Sequence, residues 1–323
     1  MSYWGPPEDW VRELADSLAA ELRQIVLPRL GRPWSRGLAG RAVGGDTTFA
    51  VDAEAEAHVQ RRLKGFARPV AYYSEDQGLV GSEGADWVFI VDPIDGTRPA
   101  IAGLEAACVS VAVARLTHRP AMEDVWYGVI LEIKEGGVFR AVRGGGVEIL
   151  DASGRRREVS ISMHSDLSRL FWTIGFRGRP AAELVAVLGG LIDRSSVNGG
   201  VFDLGSATYT MTRILTGQLD AYVDVGPRMI ERSPWVERRF RQVGNGSVLN
   251  NCPYDVAAAA LILEEAGCVV TDAAGNSLDK RPLLGSDVAH QLSVVAAANR
   301  EMHAAILQVV EEGLEHLERT GAG

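Results

Sequence analysis

Cysteine is scarce in this sequence. Three cysteines, Cys108, Cys252 and Cys268, occur among 323 residues, and no two of them form a CxxC pair. An odd number of widely spaced cysteines excludes a disulfide framework and a cysteine-based metal site, so we interpret them as small buried side chains. The six histidines show no spacing typical of metal ligands and are interpreted as structural.

Long apolar runs are also missing. No stretch approaches the roughly 20 apolar residues that a transmembrane helix needs. The N-terminal residues MSYWGPPEDWVREL have neither the basic start nor the apolar centre of a signal peptide. The sequence therefore predicts a cytoplasmic protein with no membrane partner.

The chain has no excess of positive charge. Its 33 basic and 42 acidic residues give a net charge of −9 at pH 7. This balance disfavours a nucleic-acid backbone as the main partner. If the substrate is an anion, the local field must be inverted, and a bound cation would do that.

The order of the segments predicts two halves. Residues 1–150 begin with a helix over 8–27, a loop over 28–49 and a second helix opened by Asp52, and then continue with short β-like runs. This order predicts an α+β half with a mostly antiparallel sheet. Strand-like and helical segments alternate in residues 151–323, which predicts an α/β half.

The stretch WVFIVDPIDGTRPAIAG places two aspartates after an apolar run. The carboxylates of Asp92 and Asp95 and the carbonyl of Ile94 can converge on one point beyond a buried strand. Oxygen-only ligands suit a hard cation such as Mg²⁺. Gly96 permits a close turn, and Thr97 is a good N-cap for a helix whose free N–H groups could bind an anion.

Other motifs with closely spaced acidic residues or glycines fit this stretch poorly. An EF-hand loop starting at Asp92 requires Gly at its sixth position and Glu at its twelfth, but these positions hold Thr97 and Gly103. A phospho-aspartate phosphatase would have acidic residues two apart, and a Walker loop would have Gly-Lys-Ser/Thr. A plain β-turn with solvated aspartates remains open.

Further carboxylates lie at comparable places. Glu75 and Asp76 follow a predicted strand, where side chains can emerge at the edge of a sheet. Asp255 opens the strongly helical DVAAAALILEEAG, and Asp52 opens an earlier helix. Each is also compatible with a plain helix cap or surface turn.

Taken together, these stretches resemble the inositol monophosphatase family, within the wider group of Mg²⁺-dependent, lithium-sensitive phosphatases. WVFIVDPIDGTRPAIAG resembles the first signature of the family, and YDVAAAALILEEAGCVVTD resembles its second. TTFAVDAEAEAHV, YYSEDQG and LGSATYTMTRILTGQLDAYVDVG fit intervening elements in the right order. The resemblance spans most of residues 40–300 and implies a layered α-β-α-β-α sandwich.

The resemblance also implies a metal site. In this site, two or three Mg²⁺ ions would be held by Glu75, Asp92, the carbonyl of Ile94, Asp95 and Asp255. Glu75 would also orient a water molecule, and Thr97 with Asp52 would take its proton.

The resemblance further implies how a small phosphorylated substrate binds. The backbone of Gly96 and Thr97 would hold the phosphate. The alcohol side would be lined by Gly205, Ser206, Ala207 and Asp224.

The chain departs from the family pattern at three points. Arg98-Pro99-Ala100 replaces the usual Thr-Asn-Phe, and Arg98 is interpreted either as a phosphate contact or as a surface residue. Tyr254 precedes Asp255 where the family usually has Trp. Asp224 and Asp255 are also unusually far apart, and the added segment contains the basic stretch 228–241. That stretch is either a surface helix or a lid supplying arginines to a second phosphate.

These observations predict a Mg²⁺-dependent phosphomonoesterase acting on a small phosphorylated polyol or sugar. Inositol monophosphate is the first candidate substrate and fructose 1,6-bisphosphate the second. A 3′(2′),5′-bisphosphate nucleotidase and a non-catalytic family member that binds metal and ligand are the alternatives. The resemblance also predicts a homodimer.

Overall fold

The computed structural model describes residues 9–81 and 83–321. None of the helices formed by these residues is both long and apolar enough to cross a bilayer. The helices are α1 (Asp9–Val26), α2 (Ala50–Lys64), α3 (Thr97–Ala102), α4 (Ala181–Ser195), α5 (Ala207–Leu215), α6 (Gly226–Arg232), α7 (Glu237–Val243), α8 (Pro253–Glu265) and α9 (Arg300–Gly321).

The strands of the described residues form three sheets. A hairpin consists of β1 (Leu38–Arg41) and β2 (Thr47–Phe49). The large sheet contains β3 (Ala71–Ser74), β4 (Gly78–Val80), β5 (Trp87–Asp95), β6 (Cys108–Arg115), β7 (Val125–Glu132), β8 (Val138–Val142), β9 (Gly146–Leu150) and β10 (Arg156–Arg157). The small sheet contains β11 (Phe171–Ile174), β12 (Gly200–Phe202), β13 (Ala221–Asp224), β14 (Val269–Thr271) and β15 (Val294–Ala297).

The large sheet is mostly antiparallel, as the sequence predicts. Its strand order is β10-β9-β8-β7-β6-β5-β3-β4, and only β3 and β5 pair in parallel. The small sheet has the order β12-β11-β13-β15-β14 and is mixed, because β11 pairs in parallel with both of its neighbours.

Three apolar cores hold five layers together. One core joins α1 and α2 to the outer face of the large sheet. A second lies between the two sheets and contains the buried faces of α5 and α8. A third joins α4 and α9 to the outer face of the small sheet. The predicted α-β-α-β-α sandwich is therefore confirmed.

The spacing of apolar residues explains why α1 forms and where it packs. Val11, Leu14, Leu18 and Leu22 recur at intervals of three or four residues and are buried. This spacing places them on one stripe of a helix, which covers the large sheet. The helix predicted over 8–27 is observed as Asp9–Val26.

Helix α8 packs directly against the large sheet. Four consecutive alanines, residues 257–260, are buried in it, and Gly128 on β7 faces Ala258. A Cβ added at Gly128 would lie 3.1 Å from the Ala258 Cα and carbonyl oxygen. Small residues on both sides thus permit the contact that brings the first turn of α8, with Asp255, to the end of β5.

Three local expectations were wrong. Residues 28–49 contain the β1–β2 hairpin as well as loop and 3₁₀ turns. Asp52 and Asp255 do not occupy N-cap positions, because α2 and α8 begin two residues earlier at Ala50 and Pro253. Each carboxylate instead accepts a hydrogen bond from the N-cap backbone, and this bond is the acidic half of a capping box.

The added segment between Asp224 and Asp255 folds as part of the outer helical layer. Met229, Val236 and Phe240 are buried in the third core. Arg232 pairs with Glu311 and Glu318 on α9, and Arg239 pairs with Glu183 on α4; Arg228 and Arg241 pair with Glu231 and Glu237 of the segment itself. These pairings favour the surface-helix interpretation of the basic stretch.

The division of the chain near residue 151 stays a prediction. Strand β10, after that point, extends the large sheet, and α5 and α8 of the second half pack against it. The two halves thus share the core between the sheets.

Gly128→Val is expected to lower the free energy of unfolding by about 1–3 kcal/mol, because the added methyl groups must push α8 from β7. Urea denaturation should show a lower midpoint with an unchanged slope. Gly81→Val is the matched control, because a Cβ at Gly81 meets nothing within 4 Å. Equal midpoints for the two variants would contradict this account of the α8 contact.

Candidate active site

The two aspartates of the DPID stretch lie inside β5 rather than beyond its end. Pairing with β6 is regular as far as Asp92–Ser110 and then shifts to Asp95–Cys108. The intervening Pro93 has no N–H to donate, so the strand bulges there. The N–H of Ile94 donates to Asp92 Oδ1 at 3.0 Å and fixes that carboxylate.

A third carboxylate joins this pair from α8. Ligand oxygens of Asp92, Asp95 and Asp255 all lie within 4.8 Å of one another. Asp92 is 2% exposed and Asp95 is 7% exposed. The Cys252 N–H donates to Asp255 Oδ2 at 2.6 Å, so the capping box also orients the third carboxylate.

The start of α5 holds Asp95 in place. Ser206 Oγ donates to Asp95 Oδ2 at 2.7 Å, and the Thr208 N–H donates to the same oxygen at 2.6 Å. Thr208 Oγ1 also donates to the carbonyl of Asp255 at 2.9 Å. The predicted substrate residues Gly205, Ser206 and Ala207 therefore lie beside the acidic cluster.

Glu75 approaches the cluster from the turn after β3. Burial and the neighbouring Asp255 carboxylate raise the pKa of Glu75 well above its usual value. Buried Glu56 fixes the ends of this turn by accepting hydrogen bonds from Ser74 Oγ at 2.7 Å and from Gln77 Nε2 at 3.0 Å. Asp76, the other acidic residue of the turn, accepts from Thr48 Oγ1 at 2.7 Å.

Thr97 and Asp52 form the pair that the resemblance implies. Thr97 Oγ1 lies 3.0 Å from Asp52 Oδ1 and 3.1 Å from the carbonyl oxygen of Ile94, and its single proton can be donated to either. Burial raises the pKa of Asp52 to about 7. A carboxylate with this pKa can accept a proton near neutral pH.

Gly96 is the N-cap of α3, a position that sequence analysis gave to Thr97. Its φ is +92°, and a Cβ would lie 2.4 Å from the carbonyl oxygen of Ala106 and 2.9 Å from Ser206 Cβ. Only glycine tolerates both the left-handed backbone and the close approach. Gly96 thus lets Thr97 follow directly on the bulge that carries Asp95.

The carboxylates fit a cationic ligand. Burial, together with the neighbouring Asp95, raises the pKa of Asp92 well above its usual value, and burial raises that of Asp255 to about 7. These shifts report the cost of holding several buried negative charges together. An oxygen-only donor set with this repulsion suits a hard divalent cation, whose charge would offset it.

Two arginines that the sequence analysis did not single out reach the site from the loop after β11. Arg177 lines a cleft of about 50 Å³ together with Asp95, Ser206 and Asp255. Arg177 also pairs with Asp46 at the tip of the β1–β2 hairpin.

Arg179 also lines this cleft, is largely buried and pairs with Asp224. Asp224 has no exposed surface, and its oxygens also accept from the Gly226 N–H at 3.0 Å and Asn251 Nδ2 at 2.8 Å. Contact between Asp224 and a substrate hydroxyl would require part of this network to rearrange. That role stays a prediction, whereas Asn251 and Tyr222 already line the cleft.

Arg98 is neither a free surface residue nor bound to the acidic cluster. Its Nη2 lies 3.2 Å from Asp46 Oδ1, and its guanidinium lies 5.6 Å from the centre of the Phe49 ring. Arg98 and Arg177 therefore share one carboxylate.

Cavity size alone does not locate the site. A larger cavity of about 440 Å³ lies between α1 and strands β7–β9. Its central Asp16 already accepts hydrogen bonds from Tyr127 and Arg140. The convergence of perturbed carboxylates therefore makes the smaller cleft the candidate active site.

Sequence reasoning found the residues that are adjacent to motifs and missed those that arrive from distant loops. Arg177, Asp46 and Asn251 lie in segments without regular periodicity, and only their position after a strand or before a helix offered a signal. Thr208 was also missed, although it follows the predicted substrate residues directly.

Comparison with known proteins agrees with the fold and identifies the family. A model of the inositol monophosphatase family matches residues 8–315. The chain therefore belongs to this family and is a phosphatase of its metal-dependent type.

Individual relatives in this family have names that describe different phosphatase activities. The chain is 29% identical over 308 residues to the fructose-1,6-bisphosphatase/inositol-1-monophosphatase of Methanothermobacter thermautotrophicus, covering 92% of this chain and 95% of that protein. It is 25% identical to the bifunctional NADP phosphatase/NAD kinase of Methanococcus maripaludis, over 90% of this chain and 47% of that protein. An IMPase structure from Thermotoga maritima superposes with a TM-score of 0.68 at 20% identity, covering 96% of this chain and all of that one.

In the metal-free protein, the acidic cluster should make the free energy of unfolding decrease as the pH rises. The folded-state pKa of Asp255 is about 7, above its unfolded value near 3.9. Between these values the folded chain retains a proton that the unfolded chain has lost, so stability should fall as the pH rises through this window. Chemical denaturation of metal-free protein should show a lower free energy of unfolding at pH 7.5 than at pH 5.5.

Mg²⁺ should reverse this trend by stabilising the ionised cluster more at the higher pH. Asp255→Asn is the comparison variant and should flatten the slope. An equal slope in wild type and Asp255→Asn would contradict this origin of the pH dependence.

Proposed function

We propose that the protein is a Mg²⁺-dependent phosphomonoesterase that hydrolyses a small phosphorylated polyol or sugar. The observation that carries this proposal is the junction at Ile94. Ile94 stands between Asp92 and Asp95 in the sequence, and its carbonyl oxygen lies 3.1 Å from Thr97 Oγ1. The metal-ligand candidates and the proton-accepting pair therefore meet within one strand-to-helix turn.

The candidate metal ligands are Glu75, Asp92, the carbonyl of Ile94, Asp95 and Asp255. When bound there, divalent cations would neutralise the phosphate, lower the pKa of water and stabilise the leaving oxygen. The number of ions, two or three, remains part of the proposal.

The chain itself supplies proton transfer and positioning. Thr97 Oγ1 can pass a proton to Asp52, whose pKa of about 7 leaves a useful fraction ionised at neutral pH. Ser206 and Thr208 keep Asp95 aligned through two short hydrogen bonds. The backbone of Gly96 and Thr97 is proposed to hold the phosphate where α3 begins.

Several finer points remain proposals. Inositol monophosphate and fructose 1,6-bisphosphate are the first candidate substrates, and the double activity in the name of one relative supports testing both. A nucleotide phosphatase is the alternative, to which the NADP phosphatase among the relatives adds support. The cytoplasmic location and the homodimer stay predictions from the sequence.

Phosphate release with Mg²⁺ should be measured for inositol monophosphate, fructose 1,6-bisphosphate, 3′-phosphoadenosine-5′-phosphate and NADP. Release is expected from at least one of the first two.

Asp95→Asn should abolish phosphate release while keeping the fold, because the asparagine Oδ1 can accept the hydrogen bonds from Ser206 and Thr208. Asp151→Asn changes the charge equally on a distant turn and should retain activity. Release from no substrate would favour a non-catalytic member, and full activity of Asp95→Asn would refute the site.

Thr97→Val should lower kcat about a hundredfold or more, because the isosteric change removes the hydroxyl that contacts Asp52. KM should change little, since the backbone N–H of residue 97 is retained. Thr97→Ser restores the hydroxyl and should recover most of kcat in steady-state assays. A loss of activity in Thr97→Ser as large as in Thr97→Val would assign Thr97 a packing role instead.

A further inference from the structure

A carboxylate of the chain itself bridges two guanidinium groups at the mouth of the active site. Asp46 Oδ1 accepts from Arg98 Nη2 at 3.2 Å, and Asp46 Oδ2 accepts from Arg177 Nη1. The Asp46 side chain is 12% exposed, whereas those of Arg98 and Arg177 are 41% and 39% exposed. The arginines therefore reach solvent while the carboxylate lies beneath them.

The position of this ion pair relates it to the substrate. Arg177 lines the cleft that also contains Asp95 and Asp255, and Arg98 directly follows Thr97. A substrate whose reacting phosphate lies on Gly96 and Thr97 would therefore have one guanidinium group on the residue after Thr97 and another in the wall of the cleft. Guanidinium forks bind phosphate and carboxylate oxygens alike, so Asp46 occupies positions that a second anionic group could take.

The hairpin that carries Asp46 is held by contacts near its tip and not by a strand shared with another sheet. Strands β1 and β2 pair with each other and share no strand with the larger sheets. Arg41 Nη2 donates to the Asn245 carbonyl at 3.2 Å, and Gly45 packs so closely on Ser247 that a Cβ would lie 2.4 Å from Ser247 Oγ. Asn245 and Ser247 belong to the added segment between Asp224 and Asp255, so that segment keeps Asp46 near the arginines.

We propose that Arg98 and Arg177 form a second anion site for a phosphate group remote from the reacting one, and that Asp46 is a tethered anion filling this site in the ligand-free chain. The inference deepens the proposed function and rests on it for the first phosphate. A bisphosphate displaces Asp46, whereas a monophosphate leaves it in place. Because the tether gives Asp46 a high local concentration, it weakens the binding of the second phosphate.

A competing role for Asp46 is to position the arginines for the ligand. The two roles predict opposite effects of Asp46→Asn, which removes the charge and keeps the shape. Competition predicts tighter anion binding in the variant, and positioning predicts weaker binding. A general electrostatic effect of one lost negative charge would strengthen binding whether or not Arg177 is present.

Isothermal titration calorimetry of inorganic sulfate with Mg²⁺-loaded protein separates these cases without requiring turnover. Asp46→Asn should bind sulfate about tenfold more tightly, the ratio expected if the ion pair is occupied roughly nine-tenths of the time. The gain should vanish in the Arg177→Met background, as a double-mutant cycle. Asp151→Asn, with the same charge change, should bind like wild type. Weaker or unchanged binding in Asp46→Asn, or an equal gain without Arg177, would overturn the proposal.

Kinetics on two substrates then connects the site to catalysis. Asp46→Asn should lower KM for fructose 1,6-bisphosphate more than for fructose 1-phosphate, because only the former carries a second phosphate. Equal changes for both substrates would refute the assignment to a substrate phosphate. If neither is hydrolysed, the phosphatase proposal fails for these substrates while the sulfate titration still decides the anion site.

Discussion

The mutual repulsion of buried carboxylates is the constraint on which the rest of the structure depends. Asp92, Asp95 and Asp255 hold oxygens within 4.8 Å of one another in a largely dry environment. Such an arrangement forms only if the backbone enforces it, because the side chains alone would separate or take up protons. The bulge in β5, the capping box of α8 and the two donors at the start of α5 supply that enforcement. The cluster thus holds repelling charges together, and a bound cation would offset that repulsion.

The layered fold provides this enforcement from both halves of the chain. The central layer brings α8 against β7 through Gly128, and α5 contributes Ser206 and Thr208 beside the bulge. Neither sheet alone contains a complete site. Catalytic function therefore depends on the apolar core between the sheets, which fixes the register of one half relative to the other.

Local patterns in the sequence predicted individual helices and strands and the pair of Asp92 and Asp95. The layered sandwich and the place of Asp255 in the acidic cluster came from the resemblance to the family. The buried run before Asp92 and the apolar stripe of α1 each identify an element from its own residues. Asp46, Arg177 and Asn251 could not be found in this way, since their partners are more than twenty residues away and no periodicity marks them. Even Asp52 and Asp255, correctly placed near helix starts, occupy the third helical position, because Ala50 and Pro253 extend those helices backward.

The separate β1–β2 hairpin has a further consequence for how the molecule moves. Every residue of β1 is exposed, and the backbone bonds of the strand run to β2 alone. The hairpin can detach without breaking a ladder in either larger sheet, so its local opening costs far less than global unfolding. The amide hydrogens of residues 38–49 are thus expected to exchange with solvent through this opening, on a timescale that the buried strand β5 does not share. Opening of the hairpin and unfolding of the catalytic scaffold are thereby governed by two different free energies.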